Sequence, residues 1–156
     1  MSERALLAAQ GYLELGMAEE ALAELSSVSA PESTDPDVLE LRLHVLMQAK
    51  RWDEALVAAE ELLRISPSAL PAHIHGAFAL HELRRTAEAR DFLLKGPESL
   101  RNDPTFHYNI GCYVAVLGNR EAALRSLRKS FALDAAYRDF ARRDPDLALV
   151  KEDLEE

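Results

Sequence analysis

Apolar residues along the chain recur at i, i+3, i+4 and i+7, the spacing of helices with one buried face, and they do so in paired runs. The pattern predicts first helices near residues 3–15, 37–49, 71–83 and 105–117. Second helices follow each after a short break, near 19–30, 53–65, 87–96 and 121–133. Valines are scattered and Ile is rare, so nothing reads as a run of strands. Gly16 and Gly118 fall in the breaks, where backbone outside helical angles costs glycine least. Pro36, Pro71 and Pro104 fall near helix starts, where a missing N–H is harmless. Pro67 ends another helix, and 29–35 reads as a linker. Gly96 and Pro97 shorten the second helix of the third pair.

The pairs are copies of one another. LGMAEEALAEL, AKRWDEALVAA, LRRTAEARDFL and LGNREAALRSL share one pattern, and their alanines Ala21, Ala55, Ala89 and Ala123 fall at intervals of 34 with no insertion. Helices approach to roughly 8 Å only where a side chain is small. These alanines supply that small residue on the second helices, and Ala9, Ala77 and Gly111 supply it on three of the first helices. Tyr12, Leu46, Leu80 and Val114, three residues later, are the larger partners. Leu43 replaces the small residue in the second pair, which predicts a different spacing or tilt there.

This arrangement resembles the tetratricopeptide repeat family over roughly residues 2–135. Ala9, Tyr12, Gly16 and Ala21 carry the resemblance in the first unit, and Leu46, Trp52, Ala55 and Pro67 in the second. The third keeps Ala77, Leu80 and Ala89 but has Arg84 at the turn glycine, and the fourth carries Gly111, Gly118 and Ala123. The resemblance implies an all-α fold: a right-handed α-solenoid of four helix-turn-helix units in a single domain. The repeats fall at about 2–35, 36–69, 70–103 and 104–135. Residues 136–153 read as a C-terminal capping helix, because a terminal repeat otherwise leaves its apolar face wet. Tyr137, Phe140, Leu147 and Val150 are the residues expected to cover it. The acidic end KEDLEE opposes a helix dipole and predicts fraying. The two ends fit either a complete small protein or a piece of a longer one.

The resemblance also implies that the first helix of each pair lines a concave, ligand-binding surface. Carried onto this chain, that surface holds Gln10 and Leu13, then Glu40, His44 and Met47, then Ile74, Phe78 and His81, and finally Tyr108, Asn109 and Cys112. Its aromatic and aliphatic members, with His81 and Asn109 as polar anchors, suit a peptide or a short helix. Periodicity does not separate adjacent helix faces, so Ile74 and Phe78 fit the core as well. Some members of the family clamp a terminal carboxylate with Lys or Arg and Asn. This chain offers Asn109 and Gln10 but no basic residue at the groove positions; Arg42 is placed to reach inward, and Arg84 faces the turn.

Charge and reactive side chains narrow the function. A net charge of −9 argues against a nucleic-acid partner, which requires a concentrated basic surface. No segment reaches the 18 or so apolar residues of a membrane span, and the single Cys excludes an intrachain disulfide, so a cytoplasmic protein is expected. Cys112 lacks a base: His107 lies about 140° round the helix from it, and His81 belongs to another repeat. His73 and His75 diverge, and nothing local brings His44, His81 and Cys112 together, whereas a zinc site needs three or four converging ligands. No catalytic residue, metal or cofactor is expected. The function expected is a protein-protein interaction module whose partner is a protein or peptide, with its oligomeric state left open. A small secretion-type chaperone and a structural or oligomerisation scaffold are the alternatives.

Overall fold

The structure is a computed structural model that describes residues 2–29 and 34–155. Most of the linker expected at 29–35 lies outside the described residues. Among the described residues eight helices follow one another as four helix-turn-helix units: α1 (Ser2–Glu14) then α2 (Ala18–Ser26), α3 (Pro36–Gln48) then α4 (Trp52–Ile65), α5 (Leu70–Glu82) then α6 (Thr86–Leu94), and α7 (Pro104–Val116) then α8 (Arg120–Leu133). The chain is an all-α solenoid of paired helices with a C-terminal cap. No described helix is long and apolar enough to cross a membrane.

Two second helices stop short of their expected ends for local reasons. At the end of α2, the Ser26 and Ser27 hydroxyls donate to the carbonyls of Ala23 and Glu24, both at 2.7 Å, competing with the next helical turn. α6 ends before Gly96-Pro97, and a 3-10 helix, Glu98–Asn102, leads on to α7. Arg101 holds that irregular stretch by donating to the carbonyls of Leu94, Gly96 and Pro97.

Contacts divide the chain into two compact units, 1–79 and 80–156, with the boundary inside α5. In the first, α1 packs on α2 and α3, and α3 on α4. Ala5, Ala9, Ala21, Leu25, Val28, Val38 and Val45 form one buried cluster there. Leu43 is fully buried without a small residue at its own position, and α4 presents Ala55, Ala58 and Ala59, all buried. In the second unit α7 packs on α6 and most extensively on α8. A Cβ at Gly111 would stand 2.9 Å from the Leu127 side chain and 3.4 Å from the Ala123 carbonyl oxygen, so the small residue there sets the α7–α8 approach. Ala89 and Ala123 are fully buried as well.

Each pair reverses through the same turn. Gly16, Lys50, Arg84 and Gly118, spaced by 34, all have positive φ (74°, 57°, 66° and 89°). At each turn the next residue's N–H reaches back five positions: Met17 to Tyr12, Arg51 to Leu46, Arg85 to Leu80 and Asn119 to Val114, at 2.8–3.0 Å. The left-handed residue itself donates three positions back, which completes the Schellman cap. The missing glycine at Arg84 therefore leaves the turn type unchanged. Lys50 and Arg84 adopt a backbone region that costs a side chain about 1–2 kcal/mol.

Asp-Pro pairs start three elements. Asp35 and Asp103 cap α3 and α7 by accepting from the N–H of Asp37 and Thr105, each at 2.8 Å, with proline in the first turn. Asp144 does the same for a 3-10 helix, Pro145–Val150. The cap is consequently not one helix but α9 (Ala136–Ala141), that 3-10 helix and α10 (Lys151–Leu154).

Three substitutions test these contacts. Ala55→Leu or Ala123→Leu forces a branched side chain into a fully occupied crossing and is expected to cost about 1–3 kcal/mol in urea unfolding. Arg84→Gly relieves the strained turn at the entropic cost of glycine, for a net gain of about 0.5–1 kcal/mol. An unchanged urea midpoint in Arg84→Gly would contradict the strain assigned to that residue.

Candidate functional site

α1 and α3 carry one stripe of side chains at matching positions. Glu3, Leu6, Leu7 and Gln10 on α1 correspond, 34 residues on, to Asp37, Glu40, Leu41 and His44 on α3. All eight line a single cleft of about 400 Å³ in the first unit. The spacing i, i+3, i+4, i+7 puts each set on one helix face, and the contact between α1 and α3 brings the faces together. Gln10, Glu40 and His44 were expected from the sequence. Glu3, Leu6, Leu7, Asp37 and Leu41 were not, although extending the same stripe one or two turns toward each N-terminus reaches them. The cleft mixes three carboxylates with three leucines, and Leu7 is 67 % exposed. Such a wall complements a segment that is cationic on one side and apolar on the other. Leu13 and Met47 are half-buried beyond the cleft, where Gln48 Nε2 donates to the Leu13 carbonyl at 2.9 Å. Arg42, expected to reach inward, instead lines a different cavity with Leu22, Leu46, Arg51 and Glu54.

The histidines of α5 are engaged separately. His73 Nε2 bonds the Pro67 carbonyl at 2.9 Å, whereas His75 meets His44 edge to face with ring centroids 5.0 Å apart. Burial and, after it, the neighbouring His44 lower the His75 pKa to about 4, so the ring is neutral near pH 7. Ile74 and Phe78 are half-buried, and the Phe78 ring packs on Trp52 at 5.7 Å.

In the second unit the expected surface is covered by the chain itself. Tyr108 is 5 % and Cys112 4 % exposed. Here the expectation of an open face at Tyr108 and Cys112 is corrected. The Tyr108 hydroxyl donates to Asp144 Oδ2 at 2.6 Å, and the Cys112 thiol points to the same oxygen at 3.7 Å. Asp144 Oδ1 meanwhile accepts from the Asp146 N–H. The Tyr108 ring packs on Tyr137 (5.2 Å) and Phe140 (5.6 Å), and the Tyr137 hydroxyl bonds Thr105 Oγ1 at 2.6 Å. His81 Nε2 lies 2.8 Å from Asp146 Oδ2 and Nδ1 lies 2.9 Å from Thr86 Oγ1. An ionised carboxylate only accepts, so Nε2 carries the proton. Leu147, Val150 and Leu154 are buried, each contributing about 1.5–3 kcal/mol if fully removed from water. Asn109 remains half-buried. The cover hides apolar side chains of α7 that would be costly to leave wet.

These contacts also decide the chemistry of Cys112. Burial first, then the Asp144 and Asp146 carboxylates, push its thiol well above the ordinary range, opposite to what a nucleophile needs. Burial and the Asp144 hydrogen bond likewise raise Tyr108. Both His81 nitrogens are occupied, and His107 Nε2 bonds the Arg101 carbonyl at 2.7 Å, so neither serves Cys112 as a base. Among the described residues no group of three or more His, Cys, Asp or Glu side chains is placed to hold a metal.

Residues 46–108 match the family model described as tetratricopeptide repeat. Solved structures share the fold. MamA 41-end from Desulfovibrio magneticus RS-1 aligns with a TM-score of 0.82 at 19 % identity, over 99 % of this chain and 87 % of that one. MamA MSR-1 C2 aligns at 0.73 and 23 % identity, over 88 % and 79 %. TTC0263, a thermophilic TPR protein in Thermus thermophilus, aligns at 0.71 and 17 % identity, over 99 % and 81 %. Likeness at this level of identity concerns the fold alone. No curated protein matches the chain.

The His44–His75 contact predicts an acid-side loss of stability. The folded-state pKa of His75 lies below the ordinary 6.5, so between pH 6.5 and about 4 the unfolded chain binds the proton and the folded chain does not. Stability therefore falls as pH drops through that window and is unaffected by this group above it. Relative to His75→Gln, the wild type should lose on the order of 2 kcal/mol between about pH 7 and pH 4.5, read by urea unfolding. Parallel pH profiles for the two proteins would contradict the assignment.

Proposed function

We propose that this chain is a tetratricopeptide repeat protein, a non-enzymatic scaffold that binds a peptide or helical segment of a partner protein. The contact surface in this reading is the concave side formed by the first helices, with the cleft between α1 and α3 as its anchor. The observation that carries it is the repeated stripe, in which two consecutive repeats turn the same four positions into one cleft. Leu6, Leu7 and Leu41 supply apolar burial, while Glu3, Asp37 and Glu40 select a segment bearing Lys or Arg. Tyr108 is covered, so the apolar anchoring role falls to the leucines rather than to aromatic groups. The proposal includes repeat boundaries at about 2–35, 36–69, 70–103 and 104–135 and, given a lone thiol at Cys112, a cytoplasmic setting.

The test begins by capturing partners on the immobilised full chain and identifying the bound segment by mass spectrometry. That segment is then titrated against the wild type, Leu7→Ala and Glu40→Lys at low and moderate salt. Leu7→Ala is expected to weaken binding by about 1–2 kcal/mol at both salt levels. Glu40→Lys should weaken it most at low salt, because exposed charges are screened as salt rises. Wild-type affinity in both folded variants would remove the cleft from the interface.

A further inference from the structure

The 3-10 helix Pro145–Val150 lies on α7 as a bound peptide would, and α10 packs on that 3-10 helix. Their contacts form a polar turn followed by an aliphatic stripe. At the turn, Asp144 takes the Tyr108 hydroxyl and Asp146 takes His81. Beyond it Leu147, Val150 and Leu154 are buried, and Asp153 pairs with Arg120 at the start of α8. Tyr108 and Arg120 stand on α7 and α8, which pair through the Gly111–Leu127 approach, and His81 stands at the end of α5. The segment contributes only a 3-10 helix and one helical turn, and it joins the rest of the fold at its N-terminal side through α9. A short strap held by its own side chains, against a surface built without it, is able to exchange with another segment of the same pattern.

We propose that this face of α7 is a peptide-binding site closed in cis by residues 144–154. It accepts in trans a partner segment of the same chemistry: an Asp-Pro-Asp turn with aliphatic residues three, six and ten positions after the first aspartate. Tyr108 and His81 read the two carboxylates, and the surface covered by Leu147, Val150 and Leu154 reads the aliphatic side chains. Only residues of the second unit are involved, so the reading of the α1–α3 cleft is not a premise. The tether gives the strap a high effective concentration, and the apparent affinity for a partner is reduced by the fraction of time the site is closed. Weakening the strap without touching the face beneath it must therefore tighten binding in trans.

The probe is a fluorescein-labelled peptide of sequence DPDLALVKEDLE, residues 144–155, titrated by anisotropy against the full chain. Val150→Ala and Asp146→Ala in the protein are each expected to bind it about tenfold more tightly than the wild type. The same peptide carrying Leu147→Ala should bind the Val150→Ala protein more weakly. In the wild type, amides of 147–154 should exchange hydrogen ahead of those in α7 and α8, through an opening short of global unfolding. Two results overturn the proposal: no tightening in folded variants, or exchange of 147–154 only with global unfolding. Should either variant fail to fold, exchange in the wild type decides alone.

Discussion

Each helix pair in this chain doubles back through one residue in the left-handed region, and the rest of the fold is arranged around that reversal. The reversal matters because it places two apolar faces in contact after only a few residues of loop. The five-back hydrogen bond satisfies carbonyls that a helix end would otherwise leave bare. Fully buried alanines at the 34-residue interval then let the returning helix come close. Lys50 and Arg84 keep the same turn without glycine, which means that packing of the pair outweighs the local preference of the residue. The turn sets the register, and the small residues set the distance.

The fourth pair is covered differently from the others. α7 and α8 present apolar surface, and the chain covers it with short pieces rather than one helix. Asp144 is central to that cover. One of its oxygens caps the 3-10 helix, and the other accepts from Tyr108 and faces Cys112. The same carboxylate that starts the covering element thus also fastens it. Cys112 ends up buried beside negative charge, where a thiolate is disfavoured, so the most reactive residue type in the chain is chemically quiet.

The first unit shows the opposite arrangement. Its stripe of carboxylates and leucines on α1 and α3 lies open as a cleft, with Leu7 well exposed. Exposed apolar side chains rimmed by like charges favour a partner and discourage indiscriminate association. Non-enzymatic recognition is consistent with both units, one presenting a free face and the other a face already engaged.

The helices and the turn positions were legible in the pattern of residues, with the four first helices lying within one residue of their expected spans. Those features follow from short-range physics: a helical apolar period, proline and aspartate at helix starts, and a repeat length that returns the same residue type to the same place. That Gln10, Glu40 and His44 share one face was legible because a periodic stripe survives in sequence, and the three line one cleft. The tertiary structure alone decided which of the remaining first-helix residues are accessible. Periodicity gives the angle of Tyr108 or Cys112 around its helix axis, but it does not say that Asp144, more than 30 positions later, folds back over them. Nor does it say that His75 meets His44 and loses its charge. Such contacts join residues far apart in the chain, and they are set by which surfaces remain uncovered after the pairs have packed.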